Sequence, residues 1–61
     1  MQPEEFTRLQ KEIGWNNKVL ASKLGIHEVT VCNYKKGGLS IPETIEKLIK
    51  FYHKEIIKIL S

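Results

Sequence analysis

Residues 17 to 36 read NKVLASKLGIHEVTVCNYKK, and the fold follows from how this stretch is parsed. Leu20, Ala21 and Leu24 recur at helical spacing, and Gly25 can take the left-handed conformation that ends a helix without a Cβ clash. Ile26 returns the chain to the core, and Val31 with Tyr34 supplies a second apolar i, i+3 pair. A turn limited to Gly25, Ile26 and His27 is too short for antiparallel neighbours. It predicts two short helices crossing at a large angle, a helix-turn-helix over about 17–36. Such a crossing needs one thin residue at the contact, and Ala21 is that residue.

The set Leu20-Ala21, Leu24-Gly25-Ile26, Thr30-Val31, Tyr34 and Gly37 resembles the DNA-binding helix-turn-helix of Cro/repressor-type (XRE-like) regulators, of the small phage or bacterial kind. The likeness extends to Pro3-Glu4-Glu5-Phe6, Leu9 and Ile13-Gly14 before it, and to Pro42 with an apolar helix after it, covering roughly residues 3 to 52. It implies an all-α fold, a compact four- to five-helix bundle of the phage-repressor-like type with a long C-terminal helix. It also implies sequence-specific binding of double-stranded DNA, a repressor role and a palindromic operator bound by a homodimer. Four positions depart from the family pattern. His27 stands where a small hydroxyl N-cap is usual. Gln10 and Lys35 replace an Arg–Glu ion pair between the first and third helices, and Glu28 replaces a polar or basic reader. Losing both members of an ion pair together avoids an unpaired buried charge.

Upstream, Pro3 suits the first position of a helix and Glu4 and Glu5 favour its positive end. Phe6, Leu9 and Ile13 form its apolar stripe, with Gly14 as the stop. Asn16 is the expected N-cap of the second helix, which runs to Leu24. Asn16, Asn17 and Lys18 thus lie where free backbone N–H groups and the helix dipole attract a phosphate, although such a trio is equally an ordinary cap with a solvated lysine.

The third helix is expected over 28–36. With Val31 and Tyr34 inward, Glu28, Val29, Cys32, Asn33 and Lys36 face out. Asn can pair bidentately with adenine, a carboxylate can accept from the cytosine amino group, and Val can pack on a thymine methyl. The resemblance assigns base reading to Glu28, Val29, Cys32 and Asn33, with His27 at the cap. Any surface helix has an outward polar face, but that alone does not explain exposing Val29 and Cys32. Lys35, Lys36 and Gly37 close the helix in a turn suited to a second phosphate.

From about Pro42 to Leu60 the pattern is one amphipathic helix. Its expected buried stripe is Ile45, Leu48, Ile49, Tyr52, Ile56, Ile59 and Leu60, opposite Glu43, Lys47, Lys50, Lys54 and Lys58. At 1.5 Å per residue it is about 28 Å long, more than a three-helix head needs. Phe51 and Ile57 flank the stripe. The surplus is either a lid over the first helix or a dimerisation surface built on Phe51, Ile56, Ile57 and Leu60. No separate dimerisation domain is evident.

Composition sets the outer bounds. Sixty-one residues make one domain, residues 1–61, with a small core. The formal charge is +3, with a pI near 9.2. Between Arg8 and Lys36 six basic residues face only Glu12 and Glu28, a distribution that suits a polyanionic partner. Cys32 is the single cysteine, so no intrachain disulfide forms and a reducing interior is expected. No apolar run approaches bilayer length and no basic-then-apolar leader opens the chain, so a cytoplasmic protein without membrane contact is expected.

Nothing in the sequence resembles an active site. Cys32 with His27 or His53 lacks a third group and an oxyanion loop, and three Cys/His residues without ligand spacing make a poor zinc site. The expectation is no enzyme activity, no small-molecule substrate, no metal and no cofactor. Two functions remain: a DNA-binding regulator, or an adaptor- or antitoxin-like interaction module that keeps the fold without reading DNA. Glu28 and the modest net charge favour the second.

Overall fold

The four helices α1 (Pro3–Ile13), α2 (Asn17–Leu24), α3 (Glu28–Lys36) and α4 (Glu43–Leu60) carry the whole architecture in the computed structural model. It describes residues 1–60, without the side chain of Leu60; Ser61 and that side chain lie outside the described part. No strand occurs among the described residues, so the expected all-α bundle is present, with four helices and no fifth.

Local chemistry explains each boundary. Pro3 opens α1, with Glu4 and Glu5 in its first turn, and the Gly14 N–H closes it on the Gln10 carbonyl at 2.9 Å. Asn16 caps α2 as expected: its Oδ1 accepts from the Val19 N–H at 2.9 Å. His27 does the same for α3 with Nδ1, which accepts from the Val29 N–H at 3.1 Å. An imidazole nitrogen thus replaces the usual hydroxyl, and the bond fixes the proton of the neutral ring on Nε2.

The ends of α2 and α3 are built alike. Gly25 has φ 71° and donates to the Ser22 carbonyl, while the Ile26 N–H reaches back to the Ala21 carbonyl at 3.0 Å. Gly37 has φ 81° and donates to the Tyr34 carbonyl, while the Gly38 N–H reaches the Asn33 carbonyl at 2.9 Å. Both are Schellman caps, which need a left-handed residue and so favour glycine. Between them, three residues join α2 to α3.

The core draws on every helix: Phe6, Leu9 and Ile13 from α1, Leu20, Ala21 and Leu24 from α2, Val31 and Tyr34 from α3, Ile45 and Ile49 from α4. The Phe6 ring meets the Tyr34 ring edge-on, with centroids 5.7 Å apart. α4 lies chiefly along α1. Its His53 Nε2 is 2.6 Å from Glu12 Oε1, and its Tyr52 hydroxyl donates to the Lys23 carbonyl at 3.2 Å. Tyr52 also meets Trp15 edge-on at 5.4 Å.

The expected stripe of α4 needs one correction. Ile45 and Ile49 are buried, and Tyr52 and Ile56 pack against the core, but Leu48 and Ile59 are exposed, Ile59 by 80%. The helix rolls so that 45, 49, 52 and 56 face inward, a narrower face than the apolar pattern suggested. It also starts at Glu43, with Pro42 just outside as the residue whose carbonyl accepts from the Glu46 N–H.

Candidate nucleic-acid interface

The outward face of α3 matches the sequence reading except at Cys32, expected exposed but half-buried because its Sγ accepts from Asn17 Nδ2. His27, Glu28, Val29 and Lys36 are exposed, Val29 by 57%, while Cys32 and Asn33 are half-buried. The Asn33 side-chain amide makes no hydrogen bond among the described residues, so its donor and acceptor are both available. Glu28 occupies the first turn of α3, where a carboxylate is favoured by the helix dipole alone.

Beside this face an open cleft of about 730 Å³ runs between α1, the start of α2 and α3. Lys11, Lys18 and Lys35 line it together with Asn16, Asn17 and Glu28. The lysines of this region are not neutralised: none of Lys11, Lys18, Lys35 and Lys36 pairs with a carboxylate among the described residues. Carboxylates are paired with basic side chains elsewhere, on α1 and α4, at Arg8–Glu12, Lys47–Glu43, Lys50–Glu46 and His53–Glu12. The first turn of α2 presents the amides of Asn17 and Lys18 without a hydrogen-bond partner, since Asn16 occupies only that of Val19. Gly37 is different, because its N–H is already spent on the Tyr34 carbonyl.

One feature of the site was not legible in the residue pattern. Asn17 is an internal hub as well as a cleft residue. Its Oδ1 accepts from Gln10 Nε2 at 2.8 Å and from Lys35 Nζ at 3.0 Å, and its Nδ2 donates to Cys32 Sγ at 3.3 Å. Lys35 can only donate, so it fixes the orientation of the Asn17 amide. The Gln10 amide is fixed in turn, because its Nε2 also donates to the Trp15 carbonyl at 3.1 Å. The cost is Gln10 Oε1, buried with no partner among the described residues. Gln10 and Lys35, the two positions where the resemblance would lead one to expect an ion pair, therefore do converge, through a third residue. Spacing could not show that, because the hub joins three helices.

The remaining residues singled out from sequence lie apart from this face. On α4, Phe51 and Ile57 are exposed, whereas Ile56 packs against the core. The Leu60 side chain lies outside the described residues. No group of three His, Cys, Asp or Glu is placed to hold a metal ion among the described residues, and no described helix is long and apolar enough to cross a membrane. No family model matches the chain, and neither a curated protein nor a solved structure matches it.

Proposed function

We propose that this protein binds double-stranded DNA sequence-specifically and regulates transcription, as a repressor that occupies a palindromic site. The observation that carries this reading is the cleft in which Lys11, Lys18 and Lys35, free of carboxylates, stand beside the start of α2 and the first residue of α3. The lysines and the free amides of α2 take phosphates, which position the duplex without reading it. α3 enters the major groove, with Asn33 and Val29 on base edges and Glu28 either accepting from a cytosine amino group or excluding wrong bases. Lys36 adds a further phosphate contact at the end of α3.

The test is binding to a site selected from random duplex DNA, followed over a range of salt. Phosphate contacts make log K fall steeply with log salt. Asn33→Ala should cost about 1–3 kcal/mol on the selected site and relax preference at one position. Lys36→Ala should weaken all sequences alike and lower the salt slope by about one. Equal losses on selected and random DNA for Asn33→Ala would remove the base-reading role. The second reading, a protein-binding module, is favoured by Glu28, a carboxylate in the same cleft. It requires that no duplex be retained above background at low salt.

A further inference from the structure

The side-chain caps of α2 and α3 differ in one chemical respect. Asn16 caps α2 with an amide oxygen, which accepts whatever the pH. His27 caps α3 with Nδ1, which accepts from the Val29 N–H at 3.1 Å only while the ring is neutral. An imidazolium donates from both nitrogens and accepts at neither, so no rotation of the charged ring restores the bond. Histidine is also the side chain whose charge ordinarily changes between about pH 5 and 8. Among the described residues no carboxylate or ammonium pairs with His27. Its charged surroundings pull in opposite directions. Glu28, next to it on α3, favours a charged ring, whereas the positive end of the α3 dipole disfavours one. Lys35 and Lys36 close the far end of α3. On α2, Lys18 lies in the cleft with Glu28, and Lys23 holds its ammonium 5.6 Å from the Trp15 ring centroid. On α1, Lys11 lines the same cleft.

We infer that His27 is a proton-operated cap: the neutral ring holds the first turn of α3, and protonation releases it. The consequence falls on particular residues. The Val29 N–H loses its one partner among the described residues, whereas the Thr30 and Val31 N–H groups keep the His27 carbonyl, at 3.0 and 3.3 Å. Release is therefore confined to the opening of the helix. Glu28 and Val29 fray, while Val31 and Tyr34 stay in the core. A reading helix in the major groove meets base edges with its N-terminal residues. His27 is then a positioning residue for Val29 and Glu28, a role that rests on the proposed reading of DNA. Acid should lower selectivity. The added charge attracts phosphate on any duplex, whereas a frayed first turn weakens only the site whose bases those residues meet. A hydroxyl cap, which does not titrate, could not act this way.

The first test needs no DNA. The other histidine, His53, also titrates, with Nε2 2.6 Å from Glu12 Oε1, so His53→Gln is introduced into every protein compared. Urea unfolding of the His27 chain, His27→Ser and His27→Ala is followed from about pH 8 down to about pH 5. Serine accepts throughout and alanine never does, so the gap between those two should stay constant. The His27 chain should fall away from His27→Ser toward acid, by roughly two- to tenfold in the folding equilibrium constant. The cap's contribution is thus present at the alkaline end and lost at the acid end. A gap between His27 and His27→Ser that does not change with pH, or that narrows toward acid, would overturn the cap. The second test is the ratio of affinities for selected and random duplex over the same range. It should fall about threefold or more for the His27 chain and hold level for His27→Ser. If the urea gap widens while this ratio stays level, the positioning role is wrong. If no chain retains any duplex at either pH, the reading of DNA is what fails, and the urea series alone decides the cap.

Discussion

Asn17 spends its single amide on three partners drawn from two other helices. Such an arrangement couples its members, because all three partners meet on one half-buried amide and each constrains its orientation toward the others. A double-mutant cycle on Asn17→Ala and Lys35→Met should give a coupling energy of about 0.5–3 kcal/mol in urea unfolding, and additivity within a few tenths would show that the hub is incidental. The contrast with its neighbour shows what residue type discloses. Asn16 was readable as a cap because capping is local, needing only a short acceptor ahead of an apolar-periodic run. Asn17 was not, since its partners Gln10, Cys32 and Lys35 are brought together only by packing.

At the scale of elements, α1, α2 and α3 were legible because their ends are written in single residues: Pro3, Gly14, Asn16, Gly25 and Gly37. The roll of α4 was not, because a run with apolar residues at 45, 48, 49, 51, 52, 56, 57 and 59 offers several inward faces. Its partners choose among them, and the choice exposes Leu48 and Ile59. The packing of α2 on α3 leaves Ala21 buried, only 3% exposed. Ala21→Leu should therefore overpack the site and cost about 1–3 kcal/mol, so an unchanged melting temperature would mean the small residue is not needed there. α4 is also tied at its start. Glu46 lies 2.9 Å from the Met1 ammonium and 3.1 Å from Lys50. Those bonds, the Met1 ammonium's first, hold its carboxyl below the ordinary 4.5. A lowered folded value means that this contribution is present above about pH 4.5 and is lost as the pH falls through the folded value. Acid unfolding of Glu46→Gln should accordingly lack that part of the pH dependence, while the two proteins respond alike above it.

For the whole molecule the decisive quantity is how little stability there is to lose. At about 0.05–0.15 kcal/mol per residue, a chain of this length has roughly 3–9 kcal/mol in total. The described residues span 34 × 20 × 18 Å, with one core of ten buried apolar side chains shared by all four helices. No helix pair owns that core, so α2 and α3, which also pack directly on each other, are expected to lose their relative placement when α4 leaves α1. Ile49 tests this dependence, being fully buried at the centre of α4 and far in sequence from the candidate interface. Ile49→Ala should cost about 2–5 kcal/mol, a sum comparable with the whole stability. Its unfolding midpoint in urea should collapse or vanish, and the near-ultraviolet signal of Tyr34, on α3, should go with that of Trp15. Ile59→Ala, one residue before the end of the described chain and 80% exposed, should leave the midpoint unchanged. If instead the two variants unfold alike, α4 is not what holds the α2–α3 unit together. If Ile49→Ala loosens α4 while Tyr34 keeps its native signal, the helix-turn-helix is a folding unit in its own right and the shared core is not its source of stability.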